Sequence, residues 1–345
     1  MKPSDAHGHR YTPLLDLRQT ERAIRMIKEF FQVNLAAELN LLRVSAPLFV
    51  PADTGINDNL NGVEQPVSFT VKALAGRRAE IVQSLAKWKR MALADYGFAP
   101  GEGIYTDMKA IRPDEVLDET HSIYVDQWDW ERVMRPEERN LSFLRWTVDR
   151  IYEVIRRTEA HVAETYPIIR PVLPPRIHFI HTEELERRFP DLSPRRREDR
   201  ICRECGAVFV TGIGWPLSDG RPHDGRAPDY DDWSTPTEEG RGLNGDIFVW
   251  NPVLERAFEL SSMGIRVDPE SLTRQLALTG TQERAGLLFH RRLLAGELPQ
   301  SVGGGIGQSR LCMFFLRKAH IGEVQCGIWP DDLREELKRR NVILL

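Results

Sequence analysis

Residues 303–313, GGGIGQSRLCM, set glycine at 303, 304, 305 and 307 directly ahead of Arg310 and an apolar run. Backbone without Cβ atoms passes close to other groups, so this spacing predicts a tight turn opening into a buried helix that runs to Lys318. A turn of that kind aims backbone N–H groups at an anion, and Arg310 stands where it adds a fixed positive charge. A glycine-rich turn alone is explained equally well as plain structure. It gains meaning from a second segment, KAIRPDE at 109–115, where Arg112 falls in a strand–loop–strand context. Two arginines offered from separate parts of the chain suit an anionic phosphate group.

The 345 residues, 41% of them hydrophobic, suffice for a large core in one large domain or two ordinary ones. Lys+Arg number 47 against 51 Asp+Glu, and the resulting net charge of -4 shows no bias toward nucleic acid. No apolar run approaches the roughly 20 residues of a membrane span. The opening MKPSDAHGHRYTP lacks the apolar centre of a secretory signal. With only four cysteines, a reduced, cytoplasmic protein is expected. Cys202 and Cys205 form a lone CxxC. Zinc would need two more close ligands, and a redox pair would want a helix start after a strand, whereas RRREDR precedes this one. They read as incidental cysteines near a helix end.

Along the chain, the first 15 residues read as a loose arm. Asp16 and Gln19 have capping-box spacing, and Ile24, Ile27, Phe31, Leu35 and Leu39 recur at helical intervals, giving a long helix from about Leu17 to Asn40. Strands are expected at 42–46, at 67–71 returning through 79–82, at 108–112 and at 121–131. On the last of these Ile123, Val125, Gln127 and Asp129 share a face that begins apolar and turns polar, as in a sheet whose far end lines a pocket. Helices are expected over 84–96 and from Leu141 past Val162, with strands at 176–181 and 207–211 and a solvated charge run at 195–200 between them. From Gly212 to Gly245 periodicity is lost. A loop that long usually lines a site or is disordered, and Trp215, Tyr230 and Trp233 argue against disorder. Strands at 246–251 and 255–260, helices at 269–279 and 282–296, the glycine turn with its helix, a strand at 324–329 and a charged C-terminal helix complete the expectation. The fold class is α+β, a largely antiparallel sheet flanked by helices.

Three segments resemble the signatures of class II aminoacyl-tRNA synthetases: the long helix with a strand ending at Pro47, the hairpin carrying Arg112, and GGGIGQSR. Such synthetases usually carry an acidic residue before the last arginine, where this chain has Ser309. Longer strings resemble the aspartate–ammonia ligases, whose catalytic fold is like that of aspartyl-tRNA synthetase and which share that serine. These are NDNLNGVE (57–64), SLAKWKR (84–90), GEGIYTDMKAIRPDE (101–115), HSIYVDQWDWERV (121–133), RAPDYDDWSTP (226–236), LNGDIFVWNPVLERAFELSSMGIRVD (243–268) and GGGIGQSRL (303–311).

The resemblance implies residues 1–16 as an N-terminal arm and 17–345 as a single catalytic domain. It implies Arg112 on the α-phosphate, Arg310, Tyr230 and Arg266 toward the nucleotide, and Asp246 and Glu259 holding Mg²⁺–ATP. Lys89, Gln127, Asp129, Asp231, Ser261 and Ser262 fall near the aspartate, with Gln127 among the catalytic residues, and Asp58 is suited to ammonium. By the same resemblance the reaction is the ATP-dependent amidation of L-aspartate by ammonia through β-aspartyl-AMP, releasing AMP and pyrophosphate, in a homodimer. Residue 2 is Lys2, not the N-terminal cysteine nucleophile of glutamine-dependent enzymes, so free ammonia is the expected donor. Two rivals are a synthetase-like protein that charges tRNA and a non-catalytic paralogue. The first normally carries an added anticodon-binding domain, and the second usually loses the arginines or carboxylates kept here, so no tRNA and no membrane partner is expected.

Overall fold

The computed structural model describes residues 11–58, 60 and 64–345. Its strands are β1 (Leu41–Arg43), β2 (Phe49–Pro51), β3 (Ser68–Val71), β4 (Arg77–Ile81), β5 (Gly103–Ile111), β6 (Tyr124–Val133), β7 (His178–His181), β8 (Ala207–Thr211), β9 (Pro236–Thr237), β10 (Gly240–Arg241), β11 (Asn244–Asn251), β12 (Arg256–Ile265) and β13 (Ser301–Gly307). The helices are α1 (Leu17–Leu39), α2 (Ala86–Asp95), α3 (Leu141–Thr165), α4 (Thr182–Arg188), α5 (Pro194–Cys205), α6 (Pro269–Leu278), α7 (Leu288–Leu294), α8 (Gln308–Phe315) and α9 (Asp331–Arg339).

Eight strands make the central sheet in the order β1-β5-β6-β13-β12-β11-β8-β7. Its interior pairings are antiparallel, and only the edge pairs β1/β5 and β7/β8 are parallel. A smaller sheet, β2-β4-β3, contains the expected hairpin.

α1 starts where its capping box predicts. Asp16 accepts from the Gln19 amide at 2.8 Å, and the Gln19 side chain accepts from the Asp16 amide at 3.1 Å. It ends at Asn40, which takes the left-handed conformation that asparagine tolerates. Its apolar stripe, including Ile27, Phe31 and Leu35, is buried beside α3 and the sheet. Phe31 meets Trp128 of β6 with ring centroids 4.5 Å apart. By the two-residue period, Trp128 and Trp130 fill this core while Gln127, Asp129 and Glu131 point to the opposite face.

Several expectations change. The glycine segment is no turn: residues 301–307 form β13 in the middle of the sheet, and none of its glycines has a positive φ. The reason lies across the strand. A Cβ on Gly303 would stand 2.0 Å from Glu131 Oε2, and one on Gly305 would stand 2.3 Å from Gln127 Oε1. These glycines leave room for the polar side chains of β6. The segment 324–329 forms no strand and runs on irregularly from a 3-10 turn at Ile321–Glu323. Trp329 instead buries its ring against His320, 4.7 Å between centroids.

The span 282–296 splits into a short 3-10 turn, Gln282–Gly286, and α7. The charge run at 195–200 is part of α5 and is only partly solvated. Arg197 is buried and donates to the carbonyls of Phe189 and Pro190, and Asp199 accepts from the Ala257 amide at 2.9 Å. Cys202 and Cys205 lie in the last turn of α5, and all four cysteines are free. Residues 1–10 of the expected arm lie outside the described residues. Tyr11 and Leu15 are not loose: the Tyr11 hydroxyl donates to Glu323 at 3.0 Å, and Leu15 is buried in the core. Among the described residues no helix is long and apolar enough to cross a membrane.

Candidate active site

A cavity of about 420 Å³ opens over the polar face of β6, β13 and β12. Twelve of the thirteen expected site residues line it: Asp58, Lys89, Arg112, Gln127, Asp129, Tyr230, Asp231, Glu259, Ser261, Ser262, Arg266 and Arg310. The thirteenth, Asp246, lines an adjoining cavity of about 290 Å³ that shares Asp224, Glu259 and Arg310 with the first. Asp246 sits on β11 and Glu259 on the neighbouring β12, next to a break in register between Ile247 and Phe248.

One end of the cavity is built on α2, β6 and β13. The Lys89 ammonium donates to Asp129 Oδ1 at 2.9 Å and to the Gly304 carbonyl at 3.0 Å. Burial holds Lys89 below its ordinary value even with Asp129 beside it. Asp129 Oδ2 is buried without a hydrogen-bond partner, so an acceptor is left for a cationic ligand group. Arg90, one residue along α2, donates to the carbonyls of Pro299 at 2.9 Å and Val267 at 2.5 Å, tying α2 to the chain just after β12 and just before β13.

Behind this pair lies an ion cluster that sequence reasoning missed. Arg266 donates Nε to Glu131 Oε1 at 3.0 Å and Nη2 to Oε2 at 2.8 Å, and its Nη1 binds Asp231. Ser301 adds a donor to Glu131 at 2.7 Å. Burial alone would raise Glu131, but the Arg266 charge and hydrogen bonds outweigh it and hold the carboxyl below its ordinary value. Glu131 was findable, since it continues the 127–129 face by parity.

Above them the 212–245 segment lays Tyr230 and Asp231 over the sheet. The Tyr230 hydroxyl donates to Asp58 Oδ2 at 2.9 Å. Burial, then the Asp58 and Asp231 charges, push the phenol well above its ordinary value, so it stays a donor. Burial also raises the Asp58 carboxyl, helped by Asp229 and opposed by Lys87 and Arg112. Of the string that carried Asp58, residues 59 and 61–63 lie outside the described residues.

The other end holds Arg112, Asp246, Glu259 and Arg310 of the expected nucleotide residues. Arg112 follows β5 directly, donates Nη2 to the Gln83 carbonyl at 3.4 Å and has a buried Nε without a partner. Arg310 donates to the Glu259 carbonyl at 3.2 Å and lies 3.3 Å from its carboxylate. The α8 N-terminus, expected to face an anion, is taken by the protein's own Asp126, which accepts from the Ser309 amide at 2.9 Å and pairs with Lys28 of α1 at 2.9 Å. Asp246 is paired with Arg226, and burial, then the Glu259 charge, push its carboxyl up to about 7 against the pull of Arg226.

The fold is of the class II synthetase-like kind. It matches asparaginyl-tRNA synthetase from Pyrococcus horikoshii complexed with asparaginyl-adenylate, with TM-score 0.66 and 16% identity over 90% of this chain and 70% of that one. It also matches aspartyl-tRNA synthetase from Entamoeba histolytica, with TM-score 0.62 and 14% identity over 93% of this chain and 63% of that one. The aspartate-ammonia ligase family model matches residues 18–341. Aspartate–ammonia ligases from Bacteroides thetaiotaomicron and Parabacteroides distasonis are each 60% identical over 336 residues, and that from Ruminiclostridium cellulolyticum is 55% identical over 335, with 97% of every chain covered. The chain belongs to the aspartate–ammonia ligase family of enzymes.

Proposed function

We propose that this chain makes L-asparagine from L-aspartate and ammonia at the expense of ATP, through β-aspartyl-AMP, with AMP and pyrophosphate released. The observation that carries the reading is the convergence of twelve expected residues on one cavity, with arginines at one end and a lysine–aspartate pair at the other.

In this reading the substrate's α-ammonium meets the free oxygen of Asp129 and its α-carboxylate meets Lys89, with Gln127, Ser261 and Ser262 completing the rim. Arg266, expected toward the nucleotide, is better placed to shape this aspartate end, because Glu131 and Asp231 already hold its guanidinium. The β-carboxylate then attacks the α-phosphorus. Arg112 offers an unused buried N–H to the charge that builds on the α-phosphoryl oxygens, and Arg310 holds the rest of the nucleotide. Fixed donors of this kind need no reorganisation as the charge develops, so the chain's contribution is alignment and electrostatics.

Asp246 and Glu259 suit Mg²⁺. Asp246 Oδ1 is buried without a partner, and among the described residues no group of three or more His, Cys, Asp or Glu is arranged to hold a metal. Mg²⁺ commonly takes one or two carboxylates and completes its shell with phosphates and water. Bound there with ATP, it neutralises part of the polyphosphate charge.

Ammonia attacks the acyl carbon in the second step and AMP leaves. Asp58, with its raised carboxyl and its bond from Tyr230, is the group proposed to bind ammonium and take its proton. Asp224–Asp231 of the long segment form one wall of the cavity and act as a cover that keeps water from the adenylate. The working unit is proposed to be a cytoplasmic homodimer, with the exposed Val33 of α1 and Leu42 of β1 in the contact.

For Arg112→Ala, exchange of pyrophosphate into ATP and asparagine formation should both fall by about 10²–10³, the usual cost of one such donor. Near-normal exchange would remove Arg112 from the phosphate. Asp58→Asn should keep the exchange and lose asparagine formation, and an equal fall in both would end its assignment to the ammonia step.

A further inference from the structure

Each carboxylate suited to the metal is closed by an arginine in the ligand-free chain. Glu259 is faced by Arg310 at 3.3 Å, and Asp246 is bonded by Arg226. Arg226 belongs to none of the expected site residues. It comes from the long 212–245 segment, four residues before Tyr230, and it lines the main cavity while its partner lines the adjoining one. It stands where the two cavities meet. Its Nη1 reaches Asp224 Oδ2 at 3.0 Å and the Gly225 carbonyl at 2.8 Å, and its Nε is buried without a partner.

We propose that Arg226 occupies the metal carboxylate Asp246 until Mg²⁺–ATP arrives and then becomes a direct ligand of the nucleotide's phosphate chain. The inference rests on the Mg²⁺–ATP reading of Asp246 and Glu259. A buried carboxylate left unpaired is costly, so an empty metal position on β11 needs a cation from the chain itself. When metal and polyphosphate bind together, nothing has to be left unpaired. The carboxylate exchanges a guanidinium for the metal, and the guanidinium exchanges a carboxylate for phosphate oxygens, which match its fork. The free Nε gives Arg226 a donor in hand for that exchange. Its place on the long segment also gives the cover a reason to move with the nucleotide.

Two titrations on the full chain test this, neither of which needs turnover. The first follows Mn²⁺ binding without nucleotide, by the loss of the free-ion electron paramagnetic resonance signal. The second follows Mg²⁺–ATP and AMP binding by calorimetry. Arg226→Met should bind Mn²⁺ about 10-fold more tightly than the parent, because Asp246 is released. It should bind Mg²⁺–ATP about 10–100-fold more weakly, the size of one or two charge-assisted hydrogen bonds, and AMP unchanged. Arg226→Lys keeps the charge and should leave Mn²⁺ affinity near the parent while still weakening Mg²⁺–ATP, and it serves if the methionine variant fails to fold. Unchanged Mn²⁺ affinity in Arg226→Met would overturn the placeholder, and unchanged Mg²⁺–ATP affinity would overturn the phosphate contact. Failure of the underlying reading looks different, because the parent itself would then bind no Mg²⁺–ATP.

Discussion

The two ends of the cavity use the same chemistry, arginine against carboxylate, in opposite ways. At the aspartate end Arg266 is fully engaged, with three bonds to Glu131 and one to Asp231, and Ser301 adds a further donor to Glu131. At the nucleotide end Asp246 Oδ1, Arg226 Nε and Arg112 Nε are all buried without partners. The protonation preferences differ too: Glu131 is held below its ordinary value, whereas Asp246 is pushed up to about 7. A saturated cluster fixes a shape and resists change. An unsaturated one carries unmet bonding capacity that a ligand can satisfy. The first end, where a saturated cluster backs one open acceptor, Asp129 Oδ2, reads as architecture for a small, constant substrate, and the second as a site that rearranges when a large anion and its metal enter.

Substitutions can break this contrast. Glu131→Gln should have the largest effect on stability, about 3–5 kcal/mol, because it leaves the buried Arg266 with one carboxylate fewer. Asp246→Asn should cost less than that, since Arg226 keeps Asp224 and the Gly225 carbonyl as partners. Denaturant unfolding of the two variants checks the order, and equal losses would erase the distinction. Gly303→Ala comes next, at about 1–3 kcal/mol, because its Cβ would press on Glu131 and Arg266, neither of which is free to move. Gly305→Ala presses on the far ends of Gln127 and Asp129, which can turn aside. It should unfold closer to the parent and show its effect as a raised KM for aspartate.

The pH dependences of the two carboxyls have opposite signs. Asp246 holds a proton in the folded state that an ordinary carboxyl has shed, so its contribution to stability falls as pH rises from about 4 to about 7. Replacing it by Asn should remove that slope. Glu131, held low, contributes fully above the ordinary value of 4.5 and loses its contribution as pH falls below it. The difference between parent and Glu131→Gln should therefore shrink in acid. Unfolding measured from about pH 3 to about pH 8 separates the two, and slopes of the same sign would contradict the assignment.

Much of this was legible in the sequence for physical reasons that differ by residue. The capping box and apolar period of α1 are local, so they could be read without partners. The polar face of β6 follows from strand parity, and the same parity reaches Glu131. The glycine segment resembles a turn in sequence because the cause of its glycines is remote. Gln127 and Glu131 lie on another strand, about 180 residues earlier, and no local pattern distinguishes a glycine that turns the chain from one that makes room. Arg226 is hidden in the same way, since its meaning depends on Asp246, twenty residues on in a different element. The anion expected at the α8 N-terminus gave way to Asp126, a side chain of β6. Pairings between distant elements decide these cases, and the long family-like strings marked the places without stating the pairs.

The account turns on attack at the α-phosphorus by the aspartate β-carboxylate. Aspartate labelled with ¹⁸O in that carboxylate, incubated with the enzyme, ATP, Mg²⁺ and ammonium chloride, tests it most directly by mass spectrometry of the products. The account predicts one labelled oxygen in AMP for each asparagine formed, with unlabelled pyrophosphate. Label in inorganic phosphate, with ADP as the nucleotide product, would place the attack at the γ-phosphorus and contradict the roles given to Arg112 and Arg310.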